Sequence, residues 1–140
     1  MKKLCICFLL TLTLLTFSGC TKETGMILFN NYPITKENLL SNSSLFTAGK
    51  KIYYIFITEK PLSSNIIRVR ILKREGKGEG TAKLQVVKLV YSNDFRLNKD
   101  QVYYYNDYIV MNDEGHYFMV VYDRYSLEQP IAKADFQVKN

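Results

Sequence analysis

The chain is expected to fold as an all-β antiparallel sandwich of about seven short strands. Three observations predict it. From residue 51 onward the apolar residues recur with a period near two, as in Ile67, Val69 and Ile71 or Ala132, Ala134, Phe136 and Val138. The candidate strands are rich in Tyr, Phe, Ile and Val, the residues that suit a pleated, half-buried surface. Clusters of Gly, Pro, Asn, Asp and Ser separate them at short intervals, and no long stretch after residue 25 has helical spacing.

The first candidate strand is Met26-Ile27-Leu28-Phe29, stopped by Asn30-Asn31-Tyr32-Pro33. Residues 34–48 are the least periodic part: 35–40 suit a helical turn, and Ser41-Asn42-Ser43-Ser44 a loop. Residues 52–58, Ile-Tyr-Tyr-Ile-Phe-Ile-Thr, are apolar on both faces and predict a central strand buried on both sides. After a turn at 59–64, Ile67, Val69 and Ile71 alternate with Arg68, Arg70 and Leu72, which predicts one wet face. Residues 73–80 form a Gly- and Lys-rich hairpin connection. Beyond it the alternation of Ala82, Leu84 and Val86 changes phase to Val87, Leu89 and Tyr91, which places a β-bulge near Val86-Val87. Residues 92–100 are expected to be a polar connection. Asn106-Asp107 then interrupts 102–111, giving one kinked strand or two short ones. The last two strands are expected at 116–122 and 131–138, joined by a loop over 123–130.

The segment before this domain has another character. Lys2 and Lys3 precede an uncharged apolar run over residues 4–17, followed by Ser18, Gly19 and Cys20. This is the layout of an export signal. As a helix, fourteen residues rise roughly 21 Å, short of a hydrocarbon core of about 30 Å, so a membrane span is the weaker alternative. Phe17-Ser18-Gly19-Cys20 resembles the lipobox of bacterial lipoprotein precursors, with Phe17 where Leu is commoner. The resemblance implies a signal helix and signal peptide over 1–19, removed before Cys20, and a covalent lipid on the Cys20 thiol. It implies a lipidated cysteine and short tether over 20–25, and a domain over 26–140. Two or more acyl chains hold a protein firmly to a membrane, whereas one binds marginally. In the enterobacterial members of that family an Asp after the Cys retains the protein in the inner membrane, so Thr21 is compatible with sorting to the outer membrane.

A second resemblance lies at Asp113-Glu114-Gly115-His116-Tyr117-Phe118-Met119, which looks like the Asp-x-Gly-x-Tyr-x-Cys stretch of immunoglobulin-like domains, with Met119 in place of Cys. It implies an immunoglobulin-like β-sandwich in which Asp113 and Gly115 shape a corner. Tyr117 is then a tyrosine corner whose hydroxyl bonds back to nearby backbone.

Composition narrows the function classes. Removal of residues 1–19 leaves 17 basic and 13 acidic side chains, interspersed, with no footprint for nucleic acid. A modest positive excess beside a membrane suits anionic headgroups. Cys5 and Cys7 leave with the signal, so the domain has no thiol, no disulfide and no Cys metal site. His116 is the lone histidine, and no Gly-x-Ser-x-Gly occurs for a Ser-His-Asp site. Gly76-Lys77-Gly78-Glu79-Gly80-Thr81 lacks P-loop spacing. Asp107, Asp113 and Glu114 lack the spacing of a calcium loop, so no metal or other cofactor is expected besides the lipid. The eleven tyrosines exceed what one core needs, and Tyr103, Tyr105 and Tyr108 are the candidate binding face.

The function expected is that of a membrane-anchored, non-enzymatic envelope lipoprotein, a binding or assembly module for an envelope protein or glycan partner. The alternative is a surface-exposed structural or colonisation lipoprotein. A hydrolase of envelope polymers ranks last, for want of a catalytic constellation.

Overall fold

The structure is a computed structural model and describes residues 23–77 and 84–140. The predicted signal helix, the lipobox residues Phe17, Ser18 and Gly19, and Cys20 lie outside the described residues. Among the described residues there is no helix. Eight strands run β1 Gly25–Asn30, β2 Leu45–Thr47, β3 Lys51–Thr58, β4 Ile66–Lys77, β5 Leu84–Arg96, β6 Tyr104–Val110, β7 Gly115–Asp123 and β8 Ser126–Lys139. They form a three-stranded sheet in the order β1-β3-β6 and a five-stranded sheet in the order β2-β8-β7-β4-β5. All pairings are antiparallel except β2 with β8, which run parallel.

One core lies between the sheets. Ile27, Phe29, Ile52, Tyr54, Phe56 and Ile109 come from the short sheet; Ile67, Val69, Ile71, Tyr117, Met119, Val121, Ala132, Phe136 and Val138 come from the long one. Phe29 joins the two, with its ring 5.0 Å from Phe136 and 6.2 Å from Phe46, while Tyr117 stacks on Phe136 at 5.4 Å. Period-two alternation explains why these residues converge: each strand turns every second side chain inward.

Several sequence expectations need correction. β2 falls inside the least periodic segment, where the sequence predicts no strand; three residues are too few to show a period, and its pairing comes from β8. β3 is central but buried on one face only: Ile52, Tyr54, Phe56 and Thr58 are buried, whereas Tyr53, Ile55 and Ile57 are half-buried. β4 continues to Lys77 and β5 to Arg96, so residues 73–77 of the Gly/Lys stretch and 92–96 of the polar stretch are strand. There, polar residues face water while backbone pairing continues, as Arg68 opposite Asp94 shows. The bulge lies at Val90, because Ile71 pairs with Tyr91 and Leu72 with Leu89. β6 is a single strand through Asn106-Asp107, paired along its length with β3. β8 begins at Ser126, so only a tight turn separates it from β7, with register shifts beside Tyr122.

The outer faces of the two sheets differ. On the long sheet, charged and aromatic side chains cover one another. Arg68 and Arg124 both grip Asp94, at 2.6 and 2.8 Å, and Arg74 pairs with Asp135 at 2.8 Å. Arg74 and Lys133 lie over the Phe118 ring, 5.2 and 4.6 Å from its centroid, and Arg70 lies 5.2 Å from the Tyr122 centroid. Phe118 and Val120 are thereby buried although they point away from the core. On the short sheet, among the described residues, such cover is confined to Lys51 over the Tyr108 ring.

Candidate binding site

The outer face of the short sheet carries Met26 and Leu28 from β1, Tyr53, Ile55 and Ile57 from β3, and Tyr104, Asn106 and Tyr108 from β6. Met26, Tyr104 and Tyr108 are about half exposed, at 53%, 42% and 46%. Among the described residues, part of the loop over residues 31–44 is laid across this face.

That loop is held by asparagines. Asn30, itself 7% exposed, donates from Nδ2 to the Ser41 carbonyl at 2.8 Å and accepts the Tyr32 N–H at 3.2 Å. The Phe29 N–H donates to Asn42 Oδ1 at 2.8 Å, and the Ser43 N–H to the Phe29 carbonyl at 2.8 Å. Within the loop Asn38 accepts the Thr35 N–H at 2.8 Å and donates to the Pro33 carbonyl at 2.9 Å. Short amide side chains do here what a strand ladder does elsewhere: they satisfy backbone groups of an irregular segment. The result fixes Ile34 and Leu39 above the sheet without filling the space between.

A groove of about 490 Å³ remains, lined by Ile34, Thr35, Lys36, Leu39, Ile55, Ile57, Tyr103, Tyr104 and Asn106. A smaller hollow of about 240 Å³ adjoins it across Ile34 and Asn106 and reaches Pro33, Tyr53, Asp107 and Tyr108. The groove is mostly apolar, with the Lys36 ammonium, the Thr35 hydroxyl, the Asn106 amide and phenol hydroxyls as its polar groups. Apolar walls with a few fixed polar groups are the usual make-up of a small-ligand or peptide site. Beyond the hollow, the rings of Tyr53 and Tyr108 lie 6.0 Å apart, with Lys51 Nζ 4.1 Å over Tyr108.

Of the three tyrosines expected to form a face, Tyr103 lines the groove and is 48% exposed, and Tyr108 lies along the same sheet face. Tyr105 does not join them. It points inward, 5.0 Å from the Phe95 ring and 6.3 Å from that of Tyr54, and its hydroxyl donates to Asp107 Oδ2 at 3.0 Å. Burial, then the Asp107 carboxylate and Tyr91, push the Tyr105 phenol well above the usual tyrosine range. Burial likewise raises Tyr54, with Tyr105, Asp107 and Tyr91 adding to it. Tyr104 takes the place expected for Tyr105. Parity in an unbroken β6 puts Tyr104 and Tyr108 on one face and Tyr105 on the other, and the supposed break at Asn106-Asp107 hid this. Ile55 and Ile57 were visible as apolar residues on the second face of β3. Ile34 and Leu39 had no sequence signal.

The corner residues are at the opposite end of the domain from Tyr103. Tyr117 is 2% exposed and its hydroxyl donates to the Asp113 carbonyl at 2.7 Å. Gly115 has φ +152°, outside the range that side-chain-bearing residues favour, and a Cβ there would meet Lys73 Cε at 2.6 Å. His116 is exposed on the outer face of the long sheet, between Arg74 and Gln137 in register, and so is remote from the groove.

A second hollow of about 260 Å³ lies at the start of β1, among Thr24, Thr58, Lys60, Ser63, Asp123 and Ile131. Asp123 accepts from the Ser63 hydroxyl and from the Tyr125 N–H. Burial acts to raise its carboxyl, but these hydrogen bonds and those of Ser64 outweigh it and hold it below the usual range. Such a carboxylate ties two loops together and has no histidine to work with. Among the described residues no three His, Cys, Asp or Glu side chains gather as for a metal ion.

No family model matches the chain, and no curated protein matches it. Among solved structures it is similar to an alkylpurine DNA glycosylase, AlkC, of Pseudomonas fluorescens bound to DNA containing an abasic-site analog, at 12% identity and TM-score 0.37. It covers 81% of this chain and 30% of that one. It is also similar to a beta-glucosidase from Listeria innocua in complex with gluconolactone, at 10% identity and TM-score 0.39, over 70% of this chain and 15% of the other. The chain thus spans less than a third of either protein, and likeness at this level carries no argument about activity.

Proposed function

We propose that the chain is a lipid-anchored envelope protein whose immunoglobulin-like domain binds a protein or glycan partner in the groove over Ile55, Ile57 and Tyr104. The single observation that carries the binding role is the contrast between the outer faces. The long sheet covers its own aromatics with arginine and lysine, whereas the short sheet leaves an apolar, tyrosine-bearing groove open under a pinned loop. An extended peptide with apolar side chains, or a sugar stacking on the phenols, meets both the shape and the polar rim.

Two features favour the immunoglobulin-like class. The sheet orders β1-β3-β6 and β8-β7-β4-β5 correspond to strands A-B-E and G-F-C-C′ of that fold. The Tyr117 hydroxyl bond to Asp113 has the geometry of a tyrosine corner at the start of strand F. The anchor rests on the sequence of residues 1–20: Lys2 and Lys3, the apolar run over 4–17 and Phe17-Ser18-Gly19-Cys20. Mass spectrometry of the mature protein tests it: acyl mass on an N-terminal Cys20 is expected, and an uncleaved Met1 overturns it. For the groove, a partner captured from solubilised membranes is expected to be lost with Tyr104→Ala or Ile57→Lys and kept with Tyr122→Ala on the other sheet. Equal capture by all variants would sink the groove as the site.

A further inference from the structure

The upper half of β5 is an unprotected strand edge. β5 ends the order of the long sheet, and among the described residues no strand pairs with its outer side. Below the bulge its inner face is covered, since Phe95 packs on Tyr105 and Tyr91 lies against the core, and its exposed outer side carries Asp94 held by Arg68 and Arg124. Above the bulge at Val90, the β4–β5 ribbon runs on past the short sheet. There Val86, Val87, Leu89 and Val90 are 39%, 47%, 52% and 39% exposed, and Lys88 between them is exposed too. Five consecutive exposed residues mean that both faces of the ribbon are open. Native sheets protect such edges with charges, proline or bulges, and here, among the described side chains, Lys88 and the Val90 bulge are such devices.

We propose that this edge pairs with the same edge of a second copy, antiparallel and centred on Val87, joining two five-stranded sheets. A strand is the partner that free backbone N–H and C=O groups select. A second copy fits because the register is self-complementary. Centred on Val87, Val87 lies opposite itself on the outer face, and Val86 lies opposite Lys88 of the other copy on the inner face. All paired side chains stay on one side of the bulge, so inner and outer faces match. Centring on Lys88 would oppose two ammonium groups, and centring on Leu89 would carry the pairing across the bulge and mismatch the faces. Charge agrees: Lys73 and Lys88 are cross-strand neighbours, and Glu75 is the neighbour of Val86. The chosen register therefore sets Lys88 of one copy beside the Val86–Glu75 pair of the other. One strand edge falls short of the roughly 1,200 Å² of a stable interface, so the pair is reversible and separates on dilution.

The proposal is independent of the lipid anchor. Because pairing reverses strand direction, the two Glu23 ends leave from opposite ends of the dimer. Copies anchored in one bilayer pair only with their strands lying along it, so the test uses the full chain extracted in mild detergent. Under mild oxidation Val87→Cys is expected to form a disulfide-linked dimer, at least tenfold above Asn93→Cys, which the register leaves unpaired. Val86→Cys mixed with Lys88→Cys is expected to cross-link, and each alone much less, since Cα atoms more than about 7 Å apart cannot be bridged. A monomeric Val87→Cys, or equal cross-linking at Asn93→Cys, overturns the proposal. All these positions are exposed, so loss of the fold does not confuse the result. A parent chain that cross-links through a free Cys20 counts against the anchor and leaves the edge pairing to the Val87→Cys result.

Discussion

The Tyr117 hydroxyl reaches back four residues to the Asp113 carbonyl while its ring stacks on Phe136, so one side chain ties a corner and fills the core. Tyr117→Phe keeps the ring and removes the bond. It is expected to cost about 1 kcal/mol in urea unfolding, the usual net value of one hydrogen bond, because water can reach the exposed Asp113. A loss of 3 kcal/mol or more would mean that the hydroxyl holds more than the corner. Asp123 gives a pH prediction. Its folded pKa is depressed below the ordinary aspartate value, so it adds stability above that value and loses it as pH falls through the folded pKa. The acid side of the stability curve is therefore expected to flatten in Asp123→Asn below about pH 4. Tyr54 and Tyr105 act in the opposite sense. Their phenols are raised by burial, so their contribution is whole below the usual tyrosine pKa near 10 and fades above it. Ultraviolet titration is expected to show two phenols that ionise only as the protein unfolds.

Within β6, neighbouring tyrosines have opposite roles. Tyr104→Ala removes a half-exposed ring from the groove and should leave stability within about 1 kcal/mol. Tyr105→Ala removes a ring packed on Phe95 and Tyr54, and should cost about 3 kcal/mol, in the range for aromatic truncation in a core. Comparative unfolding of the two variants checks the parity of the strand. If Tyr104→Ala proved the more destabilising, the register of β6 on β3 would be wrong. β1 shows a close approach of a different kind. A Cβ at Gly25 would lie 2.8 Å from the Ile57 carbonyl oxygen and 2.8 Å from Phe56 Cε2. Gly25→Ala should therefore shift or fray the start of β1 where it meets β3.

At the scale of the whole molecule, a single core without disulfides holds two sheets together, and Phe29 is the side chain from the short sheet that meets both Phe46 and Phe136. Phe29→Ala is expected to cost about 3–5 kcal/mol. That is a large share of the roughly 5–15 kcal/mol available to a domain, so thermal unfolding should move down by many degrees or the variant should fail to accumulate. The strand pairs are mostly distant in sequence, as in Leu45 with Gln137, and such contact patterns fold slowly.

What the sequence by itself determined is the all-β class, the cores of β1, β3, β4, β7 and β8, and the inward sets Ile67-Val69-Ile71 and Ala132-Phe136-Val138. Period-two burial is a local property of the chain, and so is Tyr117 two residues beyond Gly115. The sequence is also the sole source for the proposed anchor at Cys20. Only the tertiary structure decided that β2 exists, that β6 runs unbroken, and that the second face of β3 is an open groove instead of a buried surface. Those outcomes depend on which strand lies alongside and which loop lies above. Asn30, Asn38 and Asn42 bond to backbone that is distant or irregularly placed, and no periodicity records such partners. The same reason separates the two outer faces. Arginines alternate in β4 whether or not aromatics stand beside them, and it is the pairing of β4 with β7 that brings Phe118 and Tyr122 under their guanidinium groups.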